Sequence, residues 1–193
     1  SSDLRALTTS AIRAWTSEQF DALGSDQLNA LTTVQFASLT TDQIASFTSD
    51  DLAALSAVNF GAFSTAQIGA IDAGEMASLS SSALRALNTA AFAALTTEQL
   101  TALTTDQFSS LRNQQITALT TEQVQSLTTD QIVAFTTAQI AGLETRDIAA
   151  MTSDQILAFE GEDFNAMTPA QIDALLLATP VMIDLDGNGI HTV

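Results

Sequence analysis

A period of eight residues runs through almost the whole chain. Apolar residues recur at every eighth position from Leu4 to Ile172, and a second apolar series runs in the same way from Leu7 to Leu175. Each series is apolar at all 22 of its positions, although only 46% of the chain is hydrophobic. Ala, Ser or Gly precedes every member of the second series. We call each eight-residue unit an octad and the two series its first and second anchors. Repetition at a fixed period predicts a repeat architecture.

The spacing of the anchors excludes one continuous helix. Three residues separate the first anchor from the second, and five residues separate the second anchor from the next octad. At about 100° per helical residue, the first step leaves anchors about 60° apart and the second leaves them about 140° apart. A strand fails as well, because odd spacings place successive anchors on opposite faces. The helix must therefore be broken once in every octad.

The residue after the second anchor supplies the break. It is usually Thr, Ser, Asp, Asn or Gly, as at Asn88, Thr96 and Thr104, and such residues cap helix N-termini. Gln or an acid follows three residues later in most octads, as at Gln99 and Gln107, which completes a capping box. Acids favour the position before that Gln, where the positive end of the helix dipole stabilises them. Each octad is predicted to form about one to one and a half helical turns, followed by a tight link.

Stacking of octads must stabilise helices that are too short to persist alone in water. Burial of the two anchors contributes about 1.5–3 kcal/mol for each side chain, and the small residue before the second anchor lets neighbouring backbones approach closely. The sequence therefore predicts an all-α solenoid of about 22 octads over residues 1–177, each octad a short capped helix plus a tight link. The anchor spacing leaves open whether one coil holds two, three or four octads.

The octad pattern ends after Leu175, and residues 178–193 are predicted to begin a different, calcium-loop domain. Pro180 closes the last helix, and an apolar, β-like run follows at residues 181–183. The chain has no initiator Met and begins and ends within a pattern. We therefore expect it to be a segment of a longer protein.

The run "DLDGNG" has the spacing of a calcium loop. Oxygen-bearing side chains that alternate along the chain and precede a Gly form the first half of an EF-hand-type loop. The candidate calcium ligands are the side chains of Asp184, Asp186 and Asn188 and the main-chain carbonyl of Ile190. The Glu that completes such a loop would lie beyond Val193, so the alternative is a Gly-rich acidic turn leading into the next domain.

The segment "PVMIDLDGNGIHTV" resembles the Pro-aliphatic-Asp-Leu-Asp-Gly-Asp/Asn-Gly-aliphatic segment of large secreted bacterial exoproteins of the RTX, hemolysin-type calcium-binding class. The Thr-Thr-Asp-Gln octads resemble repeat tracts of such proteins. The resemblance implies type I secretion, an extracellular or cell-surface location, folding on contact with calcium, and roles in adhesion, surface layers or toxin delivery. The glycine-rich nonapeptide repeat that defines the class is absent from this sequence.

Composition narrows the functional classes further. A net charge of −17 disfavours nucleic acid and anionic lipid, and no apolar run is long enough to insert into a membrane. The chain has no Cys, Lys or Tyr and a single His, His191, so we expect no enzyme. We expect a structural segment of a secreted bacterial exoprotein, serving as a stalk, spacer or filament-forming surface. Its partners would be itself, end to end, or neighbouring domains of the parent chain. The alternative is a binding module whose Thr pairs contact a glycan, ice or another protein.

Overall fold

The structure is a computed structural model that describes residues 2–178, 181–182 and 191–192. Within residues 2–178 one short helix follows another, one in each octad. This arrangement confirms the predicted all-α repeat solenoid. The chain divides into two compact units, Ser1–Leu111 and Arg112–Val193. The boundary predicted between residues 177 and 178 does not coincide with this division and stays a prediction.

The first unit contains thirteen α-helices and one 3-10 helix among its described residues. They are α1 (Ser2–Arg5), α2 (Thr9–Arg13), α3 (Ser17–Asp21), α4 (Ser25–Ala30), α5 (Thr33–Ala37), α6 (Thr41–Ala45), α7 (Ser49–Ala54), α8 (Ala57–Phe60), α9 (Thr65–Gly69), the 3-10 helix (Ala73–Ser78), α10 (Ser81–Ala86), α11 (Thr89–Ala93), α12 (Thr97–Thr101) and α13 (Thr105–Ser109).

The second unit contains eight α-helices and two short strands among its described residues. They are α14 (Asn113–Thr117), α15 (Thr121–Ser126), α16 (Thr129–Val133), α17 (Thr137–Gly142), α18 (Thr145–Ile148), α19 (Ser153–Leu157), α20 (Gly161–Ala166), α21 (Pro169–Ala178), β1 (Val181–Met182) and β2 (His191–Thr192). Helix α21 has ten residues and runs past the last second anchor, whereas the other helices of this unit have four to six.

Each helix begins at the cap that the sequence predicts, as α13 shows. The Thr104 hydroxyl accepts a hydrogen bond from the Gln107 main-chain N–H at 3.2 Å, and the Gln107 Oε1 accepts from the Thr104 main-chain N–H at 2.8 Å. The backbone of Thr104 is extended, with ψ at 160°, so the chain enters the helix through a sharp change of direction. The same reciprocal capping box begins α3, α5, α6, α9, α12, α15, α16, α17 and α19.

Each helix ends in a tighter turn at its second anchor. In α13 the Leu111 N–H donates to the Phe108 carbonyl at 3.1 Å, three residues earlier. Such a bond closes a 3-10 turn, which is a common way to finish an α-helix. The next octad starts at the following residue, Arg112, so the link between two helices is only a few residues long. One to one and a half turns per octad is therefore confirmed.

The anchors form the core, as expected. Every first and second anchor from Leu28 to Phe159 is at most 6% exposed. Fully buried rings of Phe36, Phe60, Phe92 and Phe108 fill part of this core. The first octads are less covered, and the second anchors Leu7, Trp15 and Leu23 remain partly exposed.

One coil of the solenoid consists of three octads. In the first unit α2 packs on α5 and α5 on α8, and in the second unit α14 packs on α17 and α17 on α20. Each helix thus lies against the third helix after it, and three octads of eight residues make a coil of 24 residues. This contact pattern settles a number that the anchor spacing left open.

Polar side chains near the ends of helices join adjacent coils. Arg5 Nε donates to the Ala30 carbonyl at 3.0 Å, and Asn29 Nδ2 donates to the Ala54 carbonyl at 2.6 Å. In the second unit the Thr117 hydroxyl donates to the Gly142 carbonyl at 3.1 Å. The acceptor in each pair is the small residue before a second anchor, 25 residues later. The small residues therefore leave their carbonyls accessible to the neighbouring coil, which gives the expected close approach a specific role.

Candidate functional site

The predicted calcium ligands, Asp184, Asp186, Asn188 and Ile190, lie outside the described residues. The strands on either side of them pair antiparallel, with Val181 opposite Thr192 and Met182 opposite His191. This pairing agrees with the β-like run predicted at residues 181 and 182. In the part of the chain that the structure describes, no three His, Cys, Asp or Glu residues are grouped to hold a metal ion. No helix of that part is both long and apolar enough to cross a bilayer.

The chemically distinctive site of the described chain is a repeated contact made by the Gln of the capping box. This Gln is the third residue of its helix and directly precedes the first anchor. Its Nε2 donates to two main-chain carbonyls, those of the first and second anchors located 31 and 28 residues earlier. We call this pair of hydrogen bonds an amide latch.

Amide latches recur in both units. In the first unit they join Gln35 to Leu4 and Leu7, Gln43 to Ile12 and Trp15, Gln67 to Phe36 and Leu39, Gln99 to Ile68 and Ile71, and Gln107 to Met76 and Leu79, at 2.7–3.0 Å. In the second unit they join Gln155 to Val124 and Leu127, and Gln171 to Ile140 and Leu143, at 2.8–2.9 Å.

One Gln side chain thus stabilises two helices at once. The Gln99 Oε1 accepts from the Thr96 N–H at 3.0 Å at the start of its own helix. Its Nε2 donates at 2.8 and 2.7 Å to the carbonyls of Ile68 and Ile71, at the end of a helix in the previous coil. Helix ends leave such N–H and C=O groups without partners inside the helix. Gln99 is 1% exposed, so water does not substitute for these bonds.

The two Gln residues of the earliest octads show that the latch depends on a preceding coil. Gln19 and Gln27 accept from the main-chain N–H groups of Thr16 and Gly24, at 3.2 and 3.0 Å. Both side chains are exposed, whereas the latching Gln residues are buried. The sequence contains no residue 28 or 31 positions before either of them. Capping alone therefore leaves this Gln in solvent, and the latch accounts for its burial.

Asp147 shows what happens where an acid replaces the Gln. Its side chain is 2% exposed and accepts from the Thr121 hydroxyl at 2.7 Å. Its Oδ1 also lies 3.5 Å from Nε of Arg146, which in turn lies 2.9 Å from a Glu144 carboxylate oxygen. A carboxylate only accepts hydrogen bonds, so it recruits a hydroxyl and a guanidinium instead of binding the carbonyls. The local chemistry is that of a structural ion pair.

The Thr pairs divide between capping and surface. The first Thr of a pair caps the helix, as Thr40 does by accepting from the Gln43 N–H at 3.2 Å. The second Thr is exposed in many octads, and in the first unit Thr41, Thr65 and Thr89 lie 24 residues apart. Their helices α6, α9 and α11 pack in succession. We call these three residues the threonine column, since they lie on the same side of consecutive coils.

Sequence reasoning recognised the capping role of the Gln residues and missed the latch. A capping box accepts Glu as readily as Gln, yet this position holds Gln in 13 octads and Glu in one, Glu75. Acids are placed one residue earlier instead, as at Glu98 and Asp106. A preference for the amide over the isosteric acid indicates that a donor is needed, and this was the available signal.

Five stretches of the chain match the profile of the ALTTAQ repeat, at residues 1–33, 46–81, 76–113, 105–137 and 129–160. Together they cover well over half of the sequence. The letters of the repeat name follow the octad from the small residue through the second anchor and the capping Thr to the latching Gln, as in residues 134–139. The curated proteins include none that matches this chain.

Replacing Gln99 with Glu tests the amide latch without removing the capping box. The new carboxylate still accepts from the Thr96 N–H but turns an acceptor toward the carbonyls of Ile68 and Ile71. We expect Gln99→Glu to lower the free energy of unfolding by about 3–5 kcal/mol at pH 8. Urea titration monitored by circular dichroism would measure this change.

Gln27→Glu is the matched control, because Gln27 makes the capping contact and is exposed. We expect a change of less than about 0.5 kcal/mol for the control. Burial raises the pKa of the introduced carboxyl at position 99, so its proton returns at higher pH in the folded state than in the unfolded state. The loss should therefore be smaller at pH 5 than at pH 8, because a protonated carboxyl donates to one carbonyl. Equal effects of the two substitutions would show that the latch does not stabilise the fold.

Proposed function

Because the chain belongs to the ALTTAQ repeat family, we propose that it is a structural repeat segment that acts as a stalk, spacer or filament-forming surface. The observation that carries this proposal is the amide latch, which joins each coil to the next through main-chain carbonyls. Its partners are neighbouring domains of a parent chain, or further copies joined end to end. The proposal includes no catalytic role, since the sequence has no Cys, Lys or Tyr and one His.

The latch makes octads interchangeable. A carbonyl is present at every residue, so the acceptors of Gln107 are equally available whether the anchors below it are Met76 and Leu79 or other apolar residues. The donor and the capping residues belong to the same octad. An array built in this way is extended by adding octads, with no change to the existing ones, which is what a spacer of adjustable length requires.

Insertion of whole coils tests the spacer function. We expect two extra copies of Asn88–Leu111, inserted after Leu111, to fold and to lengthen the particle. Packed helices lie about 8–10 Å apart, so two coils add about 16–20 Å to the maximum dimension measured by small-angle scattering. An insert shortened by four residues breaks the period of eight and is the control, for which we expect a lower Tm. A maximum dimension that grows by less than about 5 Å would indicate compact growth and contradict the proposal.

We further propose that the parent protein is a secreted bacterial exoprotein of the RTX type with an extracellular or cell-surface location. Support comes from the resemblance of residues 180–193 to the calcium-binding segment of that class and from the absence of Cys. The candidate ligands are Asp184, Asp186, Asn188 and the Ile190 carbonyl, which would supply four of the six to eight oxygens that Ca²⁺ takes. Protease treatment of intact producing cells tests the location, since cleavage before lysis is expected for a surface protein.

Calcium titration tests the proposed ligands. We expect isothermal calorimetry of the chain to give a heat of Ca²⁺ binding that Asp184→Ala abolishes, because a carboxylate ligand at the first loop position is lost. Asp130→Ala is the matched control, since Asp130 is an exposed acid in the first turn of α16, and it should retain the heat. Identical heats for the native chain and Asp184→Ala would remove the calcium site from the proposal.

A second candidate function is a binding module that uses the threonine column. Its hydroxyls are exposed and the capping is done by the preceding residues Thr40, Ser64 and Asn88. Such a row could contact ice, a glycan or another protein.

Replacing Thr41, Thr65 and Thr89 together with Val tests the binding function. We expect the triple variant to fold as the native chain does and to lose thermal hysteresis or glycan-array signal. The matched control places the same three changes at Thr105, Thr129 and Thr137, which are also exposed second members of Thr pairs. Absence of both signals from the native chain would leave the spacer function alone.

A further inference from the structure

Three consecutive octads of the first unit lack the latching Gln. The position before the first anchor is occupied by Glu75, Ala83 and Ala91. The only other such run in the first unit that has a coil below it, at Asp51 and Asn59, covers two octads. Three octads make one coil, so an entire turn of coil-to-coil contact is without an amide latch. We call the contact of α7, α8 and α9 with the 3-10 helix, α10 and α11 the latch-free seam.

The residues that replace Gln provide no other donor for the carbonyls beneath them. An Ala side chain has no polar atom. The Glu75 carboxylate is an acceptor, and its Oε2 receives the hydroxyl of Ser49 from the previous coil. The corresponding carbonyls, 31 and 28 residues earlier, belong to Ile44, Phe47, Leu52, Leu55, Phe60 and Phe63.

Close packing is what holds this seam together. Gly61 in the lower coil faces Ala86 in the upper one, and a Cβ built on Gly61 would lie 3.1 Å from the Ala86 carbonyl oxygen. The first anchors Met76, Leu84 and Phe92 are 0% exposed. The seam is therefore closed by apolar and backbone contacts, whereas its neighbours add hydrogen bonds from Gln67 below and from Gln99 and Gln107 above.

We infer that the latch-free seam is the point at which the first unit opens, dividing its coils into two cooperative blocks. In a repeat array each unit is stabilised by its neighbours in the coil stack, so cooperativity fails first at the weakest interface. Helices of four to six residues melt once the coil that covers them is lost. Local opening therefore exposes α7 to α11 while the latched helices on both sides stay folded. This inference does not depend on the spacer function.

Native-state hydrogen exchange of the full chain, followed by mass spectrometry at rising urea concentrations, tests the inference. Peptides from residues 49–93 should exchange through an opening that occurs at lower urea than the opening of residues 97–109. Adding the missing donors with Ala83→Gln and Ala91→Gln should slow exchange of residues 49–93 at least about tenfold. Ala90→Gln places the same side chain on an exposed position of α11 and should change the rate less than about twofold.

The converse variant covers the case in which the added side chains do not fit. Gln99→Ala with Gln107→Ala removes two latches above the seam and should speed exchange of residues 97–109 at least about tenfold. A native chain whose 49–93 and 97–109 peptides exchange in a single shared transition would overturn the inference. So would converse variants that leave the rate of residues 97–109 unchanged.

Discussion

The solenoid depends on a carboxamide that bonds at both ends. The Oε1 of Gln107 closes the first turn of its own helix, and its Nε2 closes the last turn of a helix in the previous coil. Because each octad helix has so few residues, most of its main-chain groups belong to a helix end and need an external partner. The anchors supply the burial, but burial of unpaired N–H and C=O groups would cost more than it returned. Gln converts that liability into coil-to-coil adhesion.

Much of this fold follows from the residues of a single octad. Thr104, Gln107, Phe108 and Leu111 define the cap, the capping box and both anchors, and the structure places each of them accordingly. These features depend on contacts within about one turn of helix, and such contacts are encoded by spacing. The solenoid class follows as well, because anchors at intervals of three and five residues are compatible with stacked helices and with neither a long helix nor a strand.

The number of octads in a coil and the second role of Gln were beyond the reach of the spacing. Both depend on which octads become neighbours in space, and the partners of Gln99 lie 28 and 31 residues away in otherwise similar octads. A uniform repeat gives no label that distinguishes the second, third or fourth neighbour. The burial of Asp147 was equally hidden, since its environment combines a hydroxyl 26 residues earlier with an adjacent Arg. The calcium ligands predicted at residues 184–190 lie where the structure describes no residue.

The coil of three octads has a genetic consequence. Residues 24 positions apart come to lie on one side, as with the exposed pair Val34 and Val58 in the first unit and the exposed pair Val133 and Leu157 in the second. A tandem duplication of one octad would keep every cap and latch but move all later residues of that unit to the next side. A duplication of three octads would leave each side intact. Unequal recombination in multiples of 72 base pairs (24 codons) can therefore lengthen such a gene while preserving whatever its surfaces have been selected to present.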